Sequence, residues 1–132
     1  MEDLFLFVYG SLRRDGAGRH HPMLREAEFL GDATTGGRLY RVSWHPGLHP
    51  DKTAGEVTGE LFRIPAAIRP DLVRALDAHE GPGFELRRVP VHLADGSTRS
   101  GYTYAWLGDA SQAAHLADGD FGIPADHPGT AP

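Results

Sequence analysis

An α+β domain built on a small, curled, barrel-like sheet is what this 132-residue chain predicts. Three observations carry that prediction. Several short apolar runs alternate with the two-residue period of strands. One stretch, residues 65–81, has helical spacing instead. Turn formers are plentiful, with 17 glycines and 10 prolines, which suits many short elements better than a helical bundle.

Residues 4–9, "LFLFVY", form an apolar run with aromatic and β-branched members that stops at Gly10: a buried strand. "RHHPMLREAEFLG" predicts a short helix starting near Pro22 and ending before Gly31. "EFLGDATTGGRLYRVSW" reads as two strands joined around Gly36-Gly37, the second alternating Leu39, Arg41 and Ser43 against Tyr40, Val42 and Trp44. "HPGLHPDKTAGE" is dense in turn residues and reads as a loop. Glu56–Ile64 alternates again, with Gly59 a candidate bulge. The helix at residues 65–81 has Pro65 and Pro70 about its start and Ile68, Leu72, Val73 and Leu76 on one face, and Gly81 suits its closing residue. A hairpin follows, over residues 89–93 and 101–107, turning at Asp95-Gly96. Residues 1–124 are expected to form one domain and the Pro/Gly-rich residues 125–132 a flexible tail.

Composition narrows the function. An apolar fraction of 40% and a charged fraction of 23% are those of a globular protein, and a net charge of −5 argues against a nucleic-acid partner. No segment reaches the roughly 20 apolar residues of a membrane span. Glu2 and Asp3 before a short apolar run do not make a secretion signal, so a cytoplasmic location is expected, with no membrane partner. Without cysteine there is no disulfide, no thiolate metal site and no cysteine nucleophile.

Two places suggest chemistry. Where the first strand breaks into Gly10-Ser11-Leu12, unpaired backbone N–H groups point one way and glycine lets a ligand come close, as a small-anion site requires. Arg13 and Arg14 would add positive potential; an ordinary surface turn explains the same residues. The loop is not a P-loop, because no Gly-Lys-Ser/Thr follows. Ser11 lacks the Gly-x-Ser-x-Gly elbow of a nucleophile and reads as a hydrogen-bond donor. Glu80 ends the helix, where the partial negative charge disfavours a carboxylate by roughly 0.3–1 kcal/mol. Asp77, three residues earlier, would repel it further. Both effects raise its pKa, as a proton acceptor that must return the proton requires; a solvated acidic helix end is the other reading. His45 and His49 are four apart, but Pro46, Gly47 and Pro50 rule out a helical ligand pair, His20-His21 would point apart, and no metal site is expected.

In order, the segments "FVYGSLR", "GRLYRV", "GELFRI", "LDAHEG", "RRVPV" and "DGDF" resemble the γ-glutamylcyclotransferase-like family, which includes γ-glutamylamine cyclotransferases and AIG2-like proteins. The resemblance spans residues 5–124, and its most specific parts are Tyr9-Gly10-Ser11-Leu12 and Leu76-Asp77-x-x-Glu80-Gly81. It implies a compact mixed β-barrel with flanking helices and a pocket where the Tyr9, Gly10, Ser11 and Leu12 loop faces Glu80. It also implies a small-molecule γ-glutamyl substrate, cyclised to 5-oxoproline with release of an amine. The loop would bind the substrate's polar end and Glu80 would act as general acid/base, with no cofactor. Arg13, Phe84 and Phe121 are expected around that pocket. The sequence departs from the family pattern twice. Relatives commonly carry a tyrosine where Leu86, with Phe84 close by, stands here, and Phe121 replaces a tryptophan. Two alternatives stay open: a non-catalytic small-anion or glutamyl-binding module on the same fold, and a tailoring enzyme that removes a γ-glutamyl protecting group.

Overall fold

A computed structural model of the chain describes residues 2–42 and 44–124. Ser43 and the expected tail, residues 125–132, lie outside the described residues. Among the described residues, seven strands and one α-helix follow in chain order: β1 (Leu4–Val8), β2 (Glu28–Val42), β3 (His45–Pro50), β4 (Glu56–Ile64), α1 (Arg69–Glu80), β5 (Phe84–Leu93), β6 (Thr98–Trp106) and β7 (Ala114–His115), with 3-10 turns at Pro22–Leu24 and Ala110–Gln112.

Hydrogen bonding runs β1-β4-β2-β3-β6-β5, and two further pairings, β1–β6 and β2–β5, close the sheet on itself. The closing contact is parallel, Leu6 opposite Tyr102, in an otherwise mainly antiparallel sheet. The result is the mixed barrel expected. Alternation along each strand sorts the core into two clusters. Phe7, Tyr9, Leu39, Leu48, Val57, Leu61, Val89 and Val91 fill the barrel. Leu4, Leu6, Val8, Phe62, Ile64 and Tyr104 turn outward against Leu76 of α1. Roughly 2 kcal/mol of transfer energy per fully buried large side chain makes this two-sided pattern the main force behind the fold.

Five local readings change. The predicted helix at Pro22 is only the 3-10 turn Pro22–Leu24, because Glu28 already pairs with Arg63 as β2 begins. Gly36-Gly37 do not turn the chain: β2 runs through them for 15 residues. A Cβ at Gly36 would lie 2.8 Å from the Asp51 carbonyl oxygen and one at Gly37 2.6 Å from that of His49, so these glycines admit a neighbouring backbone. The predicted loop contains that neighbour, β3, which pairs with β2 from Gly37–Pro50 to Val42–His45. The bulge sits between Phe29 and Gly31, whereas Gly59 pairs regularly with Ala33. At Gly59 a Cβ would meet the Phe7 ring at 2.6 Å. The hairpin is longer than expected, in register from Phe84–Trp106 to His92–Thr98. Helix α1 lies within its expected bounds, and Gly81, at φ 84°, donates its amide to the Asp77 carbonyl at 3.0 Å.

Candidate active site

After Val8, β1 has no further strand partner and the chain bends. The Arg13 amide donates to the Gly10 carbonyl at 3.0 Å, closing a turn with Ser11 and Leu12 at its centre. Leu12 is buried beside Leu76 and anchors that turn, while Ser11 is exposed. Among the described residues, the Gly10, Ser11 and Leu12 amides donate to no protein group. Gly10 has no room for a side chain, since a Cβ there would stand 2.8 Å from Pro46 Cγ. Parallel pairing of β6 with β1, and of β3 with β6 at Leu48 opposite Ala105, brings β3 and β6 beside this turn.

Between these elements and the end of α1 lies a cavity of about 40 Å³, lined by Phe7, Val8, Tyr9, Gly10, Ser11, Leu12, His45, Pro46, Glu80 and Tyr104. It has room for about three water molecules. Tyr9 lends its wall rigidity: its buried hydroxyl donates to the Tyr104 carbonyl at 2.6 Å and accepts the Leu48 amide at 3.2 Å. Burial, with the Glu80 carboxylate nearby, holds the Tyr9 hydroxyl well above its ordinary pKa, so Tyr9 is a fixed donor. Tyr104 donates its hydroxyl to Asp77 Oδ1 at 2.7 Å, and burial likewise raises its pKa.

Glu80 is the exception among these polar groups. Among the described residues its carboxyl makes no hydrogen bond and no ion pair, and burial pushes its pKa up to about 7. The direction agrees with the sequence argument but the cause does not. The shift comes from removal from water, while the Asp77 carboxylate is engaged by Tyr104. A carboxyl poised near neutrality and facing unpartnered amides can accept a proton and return it at physiological pH.

Of the expected site residues, Tyr9, Gly10, Ser11, Leu12 and Glu80 share the cavity, while Arg13, Phe84 and Phe121 do not line it. Arg13 is buried between Glu60, 3.5 Å away, and Asp120, 3.2 Å away. Arg14 turns inward as well, its amide donating to Glu60 Oε1 at 2.8 Å and its guanidinium lying 3.5 Å from the centre of the Phe29 ring. The arginines that the sequence reading set beside an anion therefore neutralise a buried glutamate instead. Phe121 packs on the barrel core, with the Arg41 guanidinium over its ring at 5.0 Å. Phe84 packs against His45, with ring centres 5.7 Å apart. Sequence reasoning missed His45, Pro46 and Tyr104. Tyr104 was legible in principle, because it stands opposite Leu86 in the hairpin. The other two needed β3 to be seen as a strand. Among the described residues, no three His, Asp or Glu side chains gather as a metal site would require, and no helix is long and apolar enough to cross a membrane.

A family model described as Gamma-glutamyl cyclotransferase, AIG2-like matches residues 6–122. Among solved structures, an uncharacterized protein from Pyrococcus horikoshii is 21% identical with a TM-score of 0.64, over 89% of each chain. An AIG2-like protein from Mus musculus is 23% identical with a TM-score of 0.64, over 84% of this chain and 82% of its own. Both show a shared fold. A protein from Arabidopsis thaliana is 27% identical with a TM-score of 0.63, over 84% of this chain and 74% of its own. No curated protein matches the chain.

Proposed function

The chain belongs to the Gamma-glutamyl cyclotransferase, AIG2-like family, and from that membership we propose that it cyclises the γ-glutamyl group of a γ-glutamyl amine or peptide to 5-oxoproline, releasing the amine. The observation that carries the reading is the unpaired Glu80 carboxyl facing the free Gly10, Ser11 and Leu12 amides across one cavity.

The chemistry fits those groups. A γ-glutamyl amide carries its own nucleophile, and folding the chain back brings the α-nitrogen onto the γ-carbonyl carbon. The new C–N bond closes a five-membered lactam through a tetrahedral oxyanion, and the old amide C–N bond breaks as it collapses. The attacking nitrogen loses two protons on going from ammonium to lactam N–H, and the departing nitrogen gains two. Glu80, ionised at the outset, takes one proton from the α-nitrogen and delivers it to the leaving amine; solvent relays the other. Such acid/base assistance contributes about 10²–10⁴-fold, and holding the flexible chain in ring-closing geometry supplies much of the rest. The loop amides bind substrate oxygens, either the α-carboxylate or the oxyanion.

The test is to incubate the protein with γ-glutamyl-ε-lysine, γ-glutamyl-alanine and glutathione and to measure 5-oxoproline. Product from at least one, lost in Glu80→Gln, supports the reading; no product from any of them overturns it. The unpartnered loop amides serve a second reading as well, a binding module for a small carboxylate. Tight glutamate binding by calorimetry with no turnover over a broad amide panel would establish that instead.

A further inference from the structure

We propose that Asp77 is a positioning residue for the reaction: it takes the proton of the Tyr104 hydroxyl and so keeps that hydroxyl from binding Glu80. The Glu80 carboxyl is thereby left free to exchange protons with substrate. The inference rests on the cyclotransferase reading and deepens it, because it assigns a role to a residue that does not line the cavity.

Asp77 and Glu80 stand three residues apart near the end of α1, so their side chains leave one face of the helix with Cβ atoms about 5–6 Å apart. Tyr104 meets that face from β6. Its ring belongs to the buried cluster that holds Leu12 and Leu76, and it lines the cavity together with Glu80. A phenol has one proton to donate, and here it goes to Asp77 Oδ1 at 2.7 Å. Burial first, then the bond and charge of Asp77, and last the charge of Glu80 raise the Tyr104 pKa, so both carboxylates lie within electrostatic reach of this one hydroxyl. The hydroxyl serves the carboxylate that is exposed and outside the cavity lining. The carboxyl that lines the cavity goes without.

No other group facing Glu80 has the same choice. From β1, Tyr9 gives its proton to the Tyr104 carbonyl at 2.6 Å. From the turn after β1 and from β3 come Ser11 and His45, both exposed to water, which competes for any bond they make. On α1 itself, His79 packs its ring against that of His21, with centres 5.8 Å apart. Tyr104 is therefore the buried donor whose partner decides whether Glu80 is satisfied. A bond from Tyr104 would stabilise the ionised carboxylate and weaken it as a base. Asp77 forestalls that bond. Its side chain is exposed, and the Gly81 amide that closes the helix bonds its backbone carbonyl, so the carboxylate can be cut away with the helix end intact.

The experiment follows the titration of Glu80 by carboxyl-carbon NMR, with Glu80→Gln assigning the resonance, alongside 5-oxoproline formation. In the unaltered protein the midpoint is at about 7. Asp77→Ala frees the hydroxyl and should lower that midpoint by about one pH unit, carrying the acid limb of kcat/KM with it. Asp77→Asn keeps an oxygen that accepts the hydroxyl and should leave the midpoint in place. Asp77→Ala combined with Tyr104→Phe removes the hydroxyl and should restore it. A midpoint that Asp77→Ala leaves unchanged, that Asp77→Asn lowers as far, or that adding Tyr104→Phe does not restore overturns the proposal. The expected shifts with no 5-oxoproline from any of these proteins support the hold of Asp77 on Tyr104 and overturn the cyclotransferase reading. Turnover that is lost in Glu80→Gln, with a midpoint indifferent to Asp77, does the reverse.

Discussion

Glu60 and Glu80 both reach the segment that follows β1, and the fold gives them opposite surroundings. Glu60 is 2% exposed and saturated: it accepts the Arg14 amide and lies within 4 Å of the guanidinium groups of both Arg13 and Arg14. Glu80 is largely withdrawn from water and has no partner among the described residues. The contrast separates a structural carboxylate from a chemical one. Neutralising Glu60 pins the loop, and leaving Glu80 unsatisfied keeps a proton exchangeable near neutral pH.

The strongest way to break the contrast is to exchange the chemistry of each group in turn. Glu80→Gln should lower kcat/KM by about 10²–10⁴-fold with the far-ultraviolet dichroism unchanged. Turnover that persists would make Glu80 merely a tolerated burial. Glu60→Gln should act on folding instead. Removing one partner of a buried ion pair leaves Arg13 under-compensated, and denaturant unfolding should report a loss of about 3 kcal/mol. A loss under 0.5 kcal/mol would show that Asp120 alone satisfies Arg13.

The pH dependence sharpens the same comparison. The Glu80 carboxyl in the folded chain titrates near 7, above its ordinary value of 4.5. The folded state therefore binds more protons than the unfolded state between those values. Glu80 lowers stability as pH rises from 4.5 through 7, and the penalty persists above 7. Glu80→Gln should remove a penalty of roughly 3 kcal/mol at pH 8 and almost nothing at pH 4, as paired denaturation curves would record. Equal effects at both pH values would refute the burial argument. Activity should carry an acid limb with its midpoint near 7, because the base must be ionised.

Smaller effects belong to the wall between the two glutamates. Tyr9→Phe strands the Leu48 amide and the Tyr104 carbonyl, which should cost about 1–3 kcal/mol. Its turnover should fall less than that of Glu80→Gln if the hydroxyl serves only as a brace. Gly10→Ala would press a methyl onto Pro46, for about 1–3 kcal/mol, and should weaken substrate binding further by shifting the amides.

Much of this was legible in the residues. β1, β4, α1 and the core of the β5–β6 hairpin follow from periodicity, because each buries one face against a neighbour close in sequence or against the common core. Gly81 closes α1 because only its amide and a positive φ are required there. β3 was illegible for a definite reason. Pro46, Gly47 and Pro50 have the composition of a turn, yet Gly47 sits where a Cβ would lie 2.8 Å from Trp106 Cγ. The residue is small because a ring is close, and one-dimensional patterning does not register a neighbour 59 residues away. The arginines after β1 misled for the same reason, since their partners, Glu60 and Asp120, are distant in sequence and charge alone does not say which way a side chain turns.

What the residues determined on their own is local: which stretches are strand or helix, that the first strand ends in a glycine-bearing turn with amides to spare, and that a glutamate closes the helix. Closure of the barrel decided the rest. It set β3 and β6 beside that turn, drew Glu80 partly out of water with no partner among the described residues, and raised its proton affinity. Desolvation depends on everything packed around a group rather than on its neighbours along the chain, so it emerges only once the distant segments have met.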